Sequence, residues 1–258
     1  LLAGKLSIVG TPIGNLSDAS PRVKETLAAA DVILCEDTRV TSKLLSAFDI
    51  HVPLQRCDQN IIESQIEPTL ERLRAGQRVA FVSDAGMPGI SDPGQHLVDA
   101  ALSEGLAIEV IPGPSAVTCA LVASGLASDH FFFEGFLPRK HGQIVQRLQQ
   151  LAAIPGTIVL YESPFRVLTT VEAIAEVFPN RQVALVRELT KLHEEVVRDV
   201  ASCLVETLAA KENLKGECVL VIAAPTEEEL ASASSQVAGE PQLSLEDAIE
   251  AGLAAGTR

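Results

Sequence analysis

The sequence is poor in aromatic residues. Phe, Tyr and Trp together make up 3% of the 258 residues, and Trp is absent. Hydrophobic residues nevertheless account for 47% of the chain, which is enough for a sizeable core and argues against disorder over most of its length. Because that core must be built from Ala, Val, Leu and Ile, the composition favours parallel α/β packing, in which strands are buried on both faces.

Cysteines are few, and no two of them form a C-x-x-C pair. The five are scattered, at Cys35, Cys57, Cys119, Cys203 and Cys218. This pattern argues against a disulfide framework and against a zinc site, and it fits a reducing cytoplasm. No histidine has a cysteine or an acid at ligand spacing, so we expect no bound metal.

Basic residues and long apolar runs are also lacking. The net charge of −14 argues against a protein that coats nucleic acid through its overall field, so a polyanion would have to meet a local basic patch. No apolar run reaches the ~18 residues of a membrane span. The longest candidate, residues 116–127, is interrupted by polar residues and predicts a buried helix.

What the sequence does contain is a set of short apolar runs that end in turns rich in glycine and proline. The clearest is residues 79–94, where a β-branched run enters a loop of Gly, Pro, Ser and Asp. Asp92 is predicted to cap the following helix, with Pro93 at its first position. The loop would then lie at the carboxyl end of a parallel strand, where open α/β sheets bind their ligands.

Three further units repeat this design. Strands are predicted at residues 6–9, 32–35 and 107–111, followed respectively by the turn 10–15, by an acidic and basic cluster at 36–39, and by the turn 112–115. Thr41 is expected to cap the helix after the second strand. Neither G-x-G-x-x-G nor a Walker lysine is present, which disfavours an ordinary dinucleotide or nucleoside-triphosphate fold. We predict a parallel, doubly wound N-terminal domain over residues 1–113.

The second half of the chain differs in composition, beginning with a phenylalanine-rich run at residues 131–136. Strands are predicted at 131–136, 157–161, 183–186 and 218–222, with helices between them and a short antiparallel segment at 195–197. This pattern predicts a second α/β domain with a mixed sheet over residues 114–225. Residues beyond Pro225 are acidic and then rich in Ala, Ser and Gly, and they are expected to form a flexible linker.

The turns are interpreted as parts of one shared cleft, against the alternative of tight surface turns. Asp84 would accept a hydrogen bond from an amine or hydroxyl of a ligand. Arg139 and Lys140, with Phe136 upstream, would bind phosphate and stack a base, or else form a solvated turn. Glu162 and Arg166 again follow a strand.

Taken in order, these segments resemble a known family. The residues that carry the resemblance are Gly10–Asn15, Glu36–Arg39, Ser83–Gly86, Ile90–Gly94, Pro112–Ala116, Glu134–Pro138, Tyr161–Pro164, Arg187–Lys191 and Lys215–Glu217. Their sequence is similar to that of the tetrapyrrole-methylase superfamily, and within it to the members that act on ribosomal RNA. The similarity covers about residues 5–224.

The resemblance implies S-adenosylmethionine as methyl donor, bound in a cleft between the two domains of a cytoplasmic homodimer. It implies methylation of a cytidine ribose 2′-oxygen in 16S rRNA, at cytidine 1402 and in the assembled small subunit. The donor site would comprise Pro12, Asp84, Ala85, Gly86, Ile90, Ser115, Ala116, Phe136 and Leu137. The residues facing the RNA would be Glu36, Asp37, Arg39, Arg139, Lys140, Glu162 and Arg166, of which Glu36, Asp37 and Arg39 are the catalytic candidates.

Three departures from the family pattern affect these expectations. By the resemblance, residues 226–258 comprise the linker and the truncated start of a small helical module. Met87 stands where Thr is usual, and Phe165 stands where His is usual, so no base role is expected at Phe165. Two other functions stay open at this point. One is the same fold acting on a tetrapyrrole or protein acceptor, and the other is a non-catalytic RNA-binding adaptor that retains the cleft.

Overall fold

The computed structural model describes residues 4–211 and 213–230. Its first sheet has five strands: β1 (Lys5–Val9), β2 (Val32–Cys35), β3 (Leu54–Arg56), β4 (Arg78–Val82) and β5 (Ala107–Ile111). Their spatial order is β3-β2-β4-β1-β5, and all four neighbouring pairs run parallel. The predicted parallel sheet is therefore confirmed, and the carboxyl ends of its strands share one edge.

Helices cover both faces of this sheet. They are α1 (Pro21–Ala28), α2 (Thr38–Ala47), α3 (Ile62–Arg74) and α4 (Gly94–Ser103), with α5 (Ala116–Ser124) after the last strand. On β4, Val79 and Phe81 pack with residues of α3 and α4, whereas Ala80 and Val82 pack with residues of α1 and α2. Alternate residues of β4 thus point into two separate cores, which is why the strand is apolar from Val79 to Val82.

Two predictions about the helices are wrong. Thr41 does not cap α2, because Asp37 lies at the helix start and accepts a hydrogen bond from the Arg39 N–H at 2.8 Å, while Thr41 is buried within the helix. The apolar run from residue 116 is not a fully buried helix. It ends at Ser124, and Val122 on its outer side is 77% exposed. The run is apolar all round, but only one face of it packs against the chain.

The second sheet contains β6 (Phe131–Phe136), β7 (Thr157–Glu162), β8 (Gln182–Arg187), β9 (Glu195–Val200) and β10 (Cys218–Ile222), in the order β6-β7-β10-β8-β9. Strands β6 and β7 are parallel. The connection 188–194 is too short for a parallel crossover, so β8 and β9 form an antiparallel pair. The sheet is therefore mixed, as predicted, and its helices are α6 (His141–Leu151), α7 (Val167–Val177) and α8 (Ala201–Ala209).

The chain gathers into two compact units. The first comprises residues up to Ser124 together with Leu185–Val196 and Gly216–Val219, and the second comprises Gly125–Ala184, Val197–Lys215 and the residues from Leu220. The domain boundaries at 113 and 225 stay predictions. Residues 227–230 form a helical turn whose first amides are capped by Thr226, and the remainder of the expected linker and module lies outside the described residues. No helix in the described ranges is long and apolar enough to cross a membrane.

The start of α4 shows how closely the first unit is packed. A Cβ added to Gly94 would lie 2.6 Å from Cε1 of Phe81, whereas a Cβ added to Gly142, in the first turn of α6, would meet nothing within 4 Å. We expect Gly94→Ala to lower the free energy of unfolding by about 1–3 kcal/mol through overpacking. The matched Gly142→Ala should change it little or raise it by up to about 1 kcal/mol. Urea denaturation of both variants tests this, and equal stability of the two would contradict it.

Candidate active site

The loops that follow β1, β4 and β5 are bonded to one another at the carboxyl edge of the first sheet. The Gly10 N–H donates to the carbonyl of Ile111 at 2.9 Å. Thr11 and Gly86 exchange two backbone hydrogen bonds, of 2.9 and 3.1 Å, and form an isolated antiparallel bridge. The turns that the sequence predicted to meet in one place therefore do so within the first unit.

Two glycines make this approach possible. A Cβ on Gly113 would lie 2.7 Å from Cα of Gly10, and a Cβ on Gly10 would lie 2.6 Å from N of Gly113. Both contacts are with backbone atoms that cannot swing away, so any side chain here would separate the loops. Met87 occupies the remaining space, with its Sδ 3.2 Å from the Gly113 nitrogen. The residue that departs from the family pattern is thus packed into the loop junction.

Around this junction the predicted donor residues of the first unit differ in exposure. Gly86 is buried and has φ of +83°, a left-handed conformation that favours glycine. Pro12, Ser115 and Ala116 are partly buried, and Asp84, Ala85 and Ile90 are exposed. The junction therefore presents a carboxylate, small residues and an apolar side chain to solvent.

Asp92 stabilises the far end of the β4 loop. Its carboxylate accepts hydrogen bonds from the Gly89 N–H at 2.8 and 2.9 Å and from the Gly94 N–H at 2.9 Å. It therefore bonds the first residue of α4, but Pro93 occupies the capping position rather than the first helical position predicted for it. Asp92 holds the turn that carries Ile90 as well as the helix start.

Three acidic residues are linked through backbone amides beside the junction. The Asp37 N–H donates to Oδ1 of Asp84 at 3.1 Å, and the Asp84 N–H donates to Oε1 of Glu36 at 3.3 Å. Glu36 is half-buried, and that burial, together with the charges of Asp92, Asp84 and Asp58, raises the pKa of its carboxyl. Glu36 therefore holds a proton more readily than an exposed glutamate.

The neighbouring Asp37 has the opposite character. Its carboxylate pairs with the Arg39 guanidinium, with an Nη2–Oδ2 distance of 2.6 Å, and also accepts from the Arg39 N–H. These hydrogen bonds lower the pKa of Asp37 to about 2. The Arg39 side chain is 87% exposed, so its other donors face solvent. Two adjacent carboxylates thus differ strongly in their affinity for a proton.

In the second unit, the turn after β6 presents one aromatic ring. The strand has a bulge between Phe133 and Gly135, and after it Phe136 is 60% exposed while Leu137 is buried. The Phe136 ring packs against Tyr161 of β7, with their centroids 5.6 Å apart. Phe136 therefore has one face supported and the other open, and the side chain of Leu137 anchors the turn.

Glu162 and Arg166 lie beneath this turn. Glu162 is 4% exposed, and its Oε2 accepts from the Thr170 hydroxyl at 2.7 Å and lies 3.4 Å from Nη2 of Arg166. The same Nη2 donates to the carbonyls of Leu137, at 3.2 Å, and Pro138, at 2.7 Å. This arrangement, which we call the Glu162–Arg166 clamp, fixes the backbone of the turn.

Arg139 and Lys140 follow the clamped turn directly and are exposed. Sequence analysis found them, and it found Glu162 and Arg166, but it gave no sign that Glu162 is buried or that Thr170 contacts it. The contact of Gly10 with Gly113 was also missed, since it joins residues about a hundred positions apart. Among the described residues, no group of three or more His, Cys, Asp or Glu side chains could hold a metal ion.

Comparison with known proteins shows the family to which the chain belongs. Residues 5–204 match the model of the tetrapyrrole (corrin/porphyrin) methylases. A ribosomal RNA small subunit methyltransferase I of Thermotoga maritima is 44% identical over 220 residues, 85% of this chain and 98% of the relative. A protein of the same name from Synechocystis is 44% identical over 234 residues, 90% of this chain and 84% of that relative.

Solved structures agree on the fold. The crystal structure of the methyltransferase CobJ matches with a TM-score of 0.64 at 19% identity, covering 86% of this chain and 95% of CobJ. The likeness confirms the predicted α/β architecture. From the family model and the close relatives together, the chain belongs to the tetrapyrrole methylase family and, within it, to the group of ribosomal RNA small subunit methyltransferases I.

Proposed function

We propose that the protein transfers a methyl group from S-adenosylmethionine to the ribose 2′-oxygen of a cytidine in 16S rRNA. The observation that carries this proposal is the 44% identity with a protein named ribosomal RNA small subunit methyltransferase I, over 98% of that relative's length. The bonded loops at the edge of the first sheet and the exposed basic residues Arg39, Arg139 and Lys140 support it.

The donor fits the residues of the loop junction. The glycine backbone at Gly86 leaves room for close approach, the Asp84 carboxylate can accept from hydroxyl or amine groups, and Ile90 offers an apolar surface. Pro12, Ala85, Ser115 and Ala116 complete the set in the first unit, and Phe136 and Leu137 are the candidates in the second. A sulfonium supplies its own leaving group, so the protein's task is to align the reactants and exclude water.

The acceptor hydroxyl loses its proton when the new C–O bond forms. Between the two acidic candidates, Glu36 is the better proton acceptor because its pKa is raised, whereas the pKa of Asp37 is held at about 2 by Arg39. We therefore assign the proton to Glu36. Asp37 caps α2 and orients Arg39, whose guanidinium would meet a phosphate of the RNA.

Of the four candidates for RNA binding in the second unit, Arg139 and Lys140 are placed to contact phosphates. For Glu162 and Arg166 we propose a positioning role, since their charged groups are used in the clamp. Glu162 is nearly inaccessible, so loss of Arg166 would leave a buried carboxylate without its cation. The clamp would hold the turn that lies between Phe136 and the basic residues Arg139 and Lys140 in one conformation.

The remaining expectations belong to the same proposal. A ribosomal substrate implies a cytoplasmic enzyme that meets its target in the assembled small subunit, without a metal. A homodimer is supported by large apolar side chains that the single chain leaves exposed in the first unit, at Leu102, Val110 and Val122. Light scattering of the purified protein measures this stoichiometry.

The proposed reaction is tested by incubating the protein with labelled S-adenosylmethionine and one of two acceptors. We expect label in the 16S rRNA of small subunits from cells that lack this methylation, at the ribose of a single cytidine, and none in a precorrin. Label in the precorrin would identify the alternative acceptor class. Donor binding without transfer to any RNA would indicate a non-catalytic adaptor.

Asp84→Asn should weaken donor binding. The amide oxygen can still accept from the Asp37 N–H, so the loop is retained, but the charge-assisted hydrogen bond to the donor is lost. Such bonds contribute about 1.5–3 kcal/mol, so we expect the dissociation constant for S-adenosylmethionine to rise about 10- to 150-fold. Calorimetry measures it, with Asp99→Asn on the exposed side of α4 as the matched control. Equal affinities of the two variants would remove Asp84 from the donor site.

Glu36→Gln should raise the stability of the fold at neutral pH while it lowers the activity. A carboxyl whose pKa is raised in the folded chain destabilises the fold once the pH exceeds the ordinary value of 4.5. The variant should therefore unfold at a higher temperature than the wild type at neutral pH, and this difference should disappear below about pH 4.

At the same time, turnover by Glu36→Gln should fall about 10²- to 10⁴-fold, since the amide cannot take the proton. Glu25→Gln, on the exposed face of α1, is the control for both measurements. Full activity of Glu36→Gln at saturating donor and RNA would show that Glu36 is not the proton acceptor.

A further inference from the structure

The second unit contains a small apolar pocket that none of the predicted site residues lines. Its volume is about 280 Å³, and its walls include Pro164, Leu168 and Leu214. Lys211 and Lys215 also line it. The volume lies just below the range of about 300–1,000 Å³ typical of pockets for drug-sized ligands, so the pocket suits one planar ring system rather than an extended ligand.

Phe165 stands at this pocket with 91% of its surface exposed. Single exposed apolar side chains are common on protein surfaces, so the exposure of Phe165 matters here only because the ring adjoins a pocket. Its backbone is held firmly: the Phe165 N–H donates to the Ser163 hydroxyl at 3.3 Å, and the next two amides donate to the Ser163 carbonyl at 2.9 and 3.0 Å. The neighbouring Arg166 belongs to the clamp. The ring is therefore presented by a fixed turn and needs little ordering when a partner binds.

The charge at the pocket differs from that of the whole chain. The net charge of −14 repels polyanions, yet two lysines lie here beside an aromatic ring and an apolar wall. Aromatic rings that stack bases, next to cations that contact the backbone, are the usual elements of single-stranded nucleic-acid binding. A protein partner could also use the apolar wall, and the test below distinguishes it from RNA.

We propose that Phe165 and this pocket bind an unpaired nucleobase of the substrate RNA, with Lys211 and Lys215 contacting the adjacent phosphates. The inference rests on the proposed function and adds a site outside the residues assigned to the donor and to methyl transfer. An unpaired base is required, because stacking on Phe165 needs a face that a duplex does not expose.

The test measures binding of a fluorescein-labelled single-stranded oligoribonucleotide by anisotropy. Loss of one stacked base weakens binding about 5- to 150-fold, so we expect this loss for Phe165→Ala and near-normal binding for Phe165→Trp. Leu192→Ala is the matched control, because Leu192 is 92% exposed and lies outside the pocket. A fully paired RNA of the same sequence should bind the wild type and Phe165→Ala equally.

The lysines are tested through the salt dependence of the same binding. For single strands each phosphate contact contributes about 0.7 to the slope of log K against log salt, so Lys211→Ala with Lys215→Ala should reduce that slope by about 1.4. Lys24→Ala on α1 serves as the control. Calorimetry with S-adenosylmethionine and thermal unfolding should give wild-type values for every variant.

The outcomes separate this inference from the proposed function. If the wild type binds and methylates RNA while Phe165→Ala and the lysine variant bind it unchanged, the pocket is not an RNA site and the proposed function stands. If Phe165→Ala alters self-association instead of RNA binding, the pocket receives a second copy of the chain and the inference is overturned. If the wild type binds no RNA, free or in small subunits, the proposed function fails as well.

Discussion

The contact between Gly10 and Gly113 is the constraint on which the candidate active site depends. A parallel sheet brings the ends of its strands to one edge, but it does not by itself bring the following loops into contact. Here the two backbones pass so closely that neither residue can carry a side chain. The bridge between Thr11 and Gly86 then adds the third loop, so the residues assigned to the donor are fixed by backbone hydrogen bonds.

At the same edge of the sheet, two neighbouring carboxylates have pKa values shifted in opposite directions. Glu36 and Asp37 are consecutive, yet burial and neighbouring acids raise the pKa of one while an arginine lowers that of the other. Because Asp84 bonds to both through backbone amides, their positions depend on the loop that carries the donor residue. Donor binding and proton transfer would thus share one rigid support, at the cost of some stability in the fold.

The second unit uses an ion pair with one buried partner for a comparable purpose. Glu162 is almost inaccessible, and Arg166 uses its guanidinium to hold two backbone carbonyls. The exposed groups next to them are Phe136, which directly precedes the turn that this clamp fixes, and Phe165, which directly precedes Arg166. Rigid turns that present aromatic rings suit the recognition of single-stranded RNA, since stacking requires little further ordering of the protein.

The sequence by itself determined the strands and the family. The apolar runs 32–35, 107–111, 131–136 and 218–222 coincide with strands, because β-branched residues between turn signals have few other stable arrangements. The turns that follow these strands contain the candidate site residues, because ligands bind at the carboxyl ends of parallel strands. Only the tertiary structure decided that Asp37 rather than Thr41 starts α2, that α5 has an exposed face, and that Glu162 is buried. The burial of Thr41, the exposed face of α5 and the burial of Glu162 depend on neighbours distant in sequence, and local patterns do not show burial.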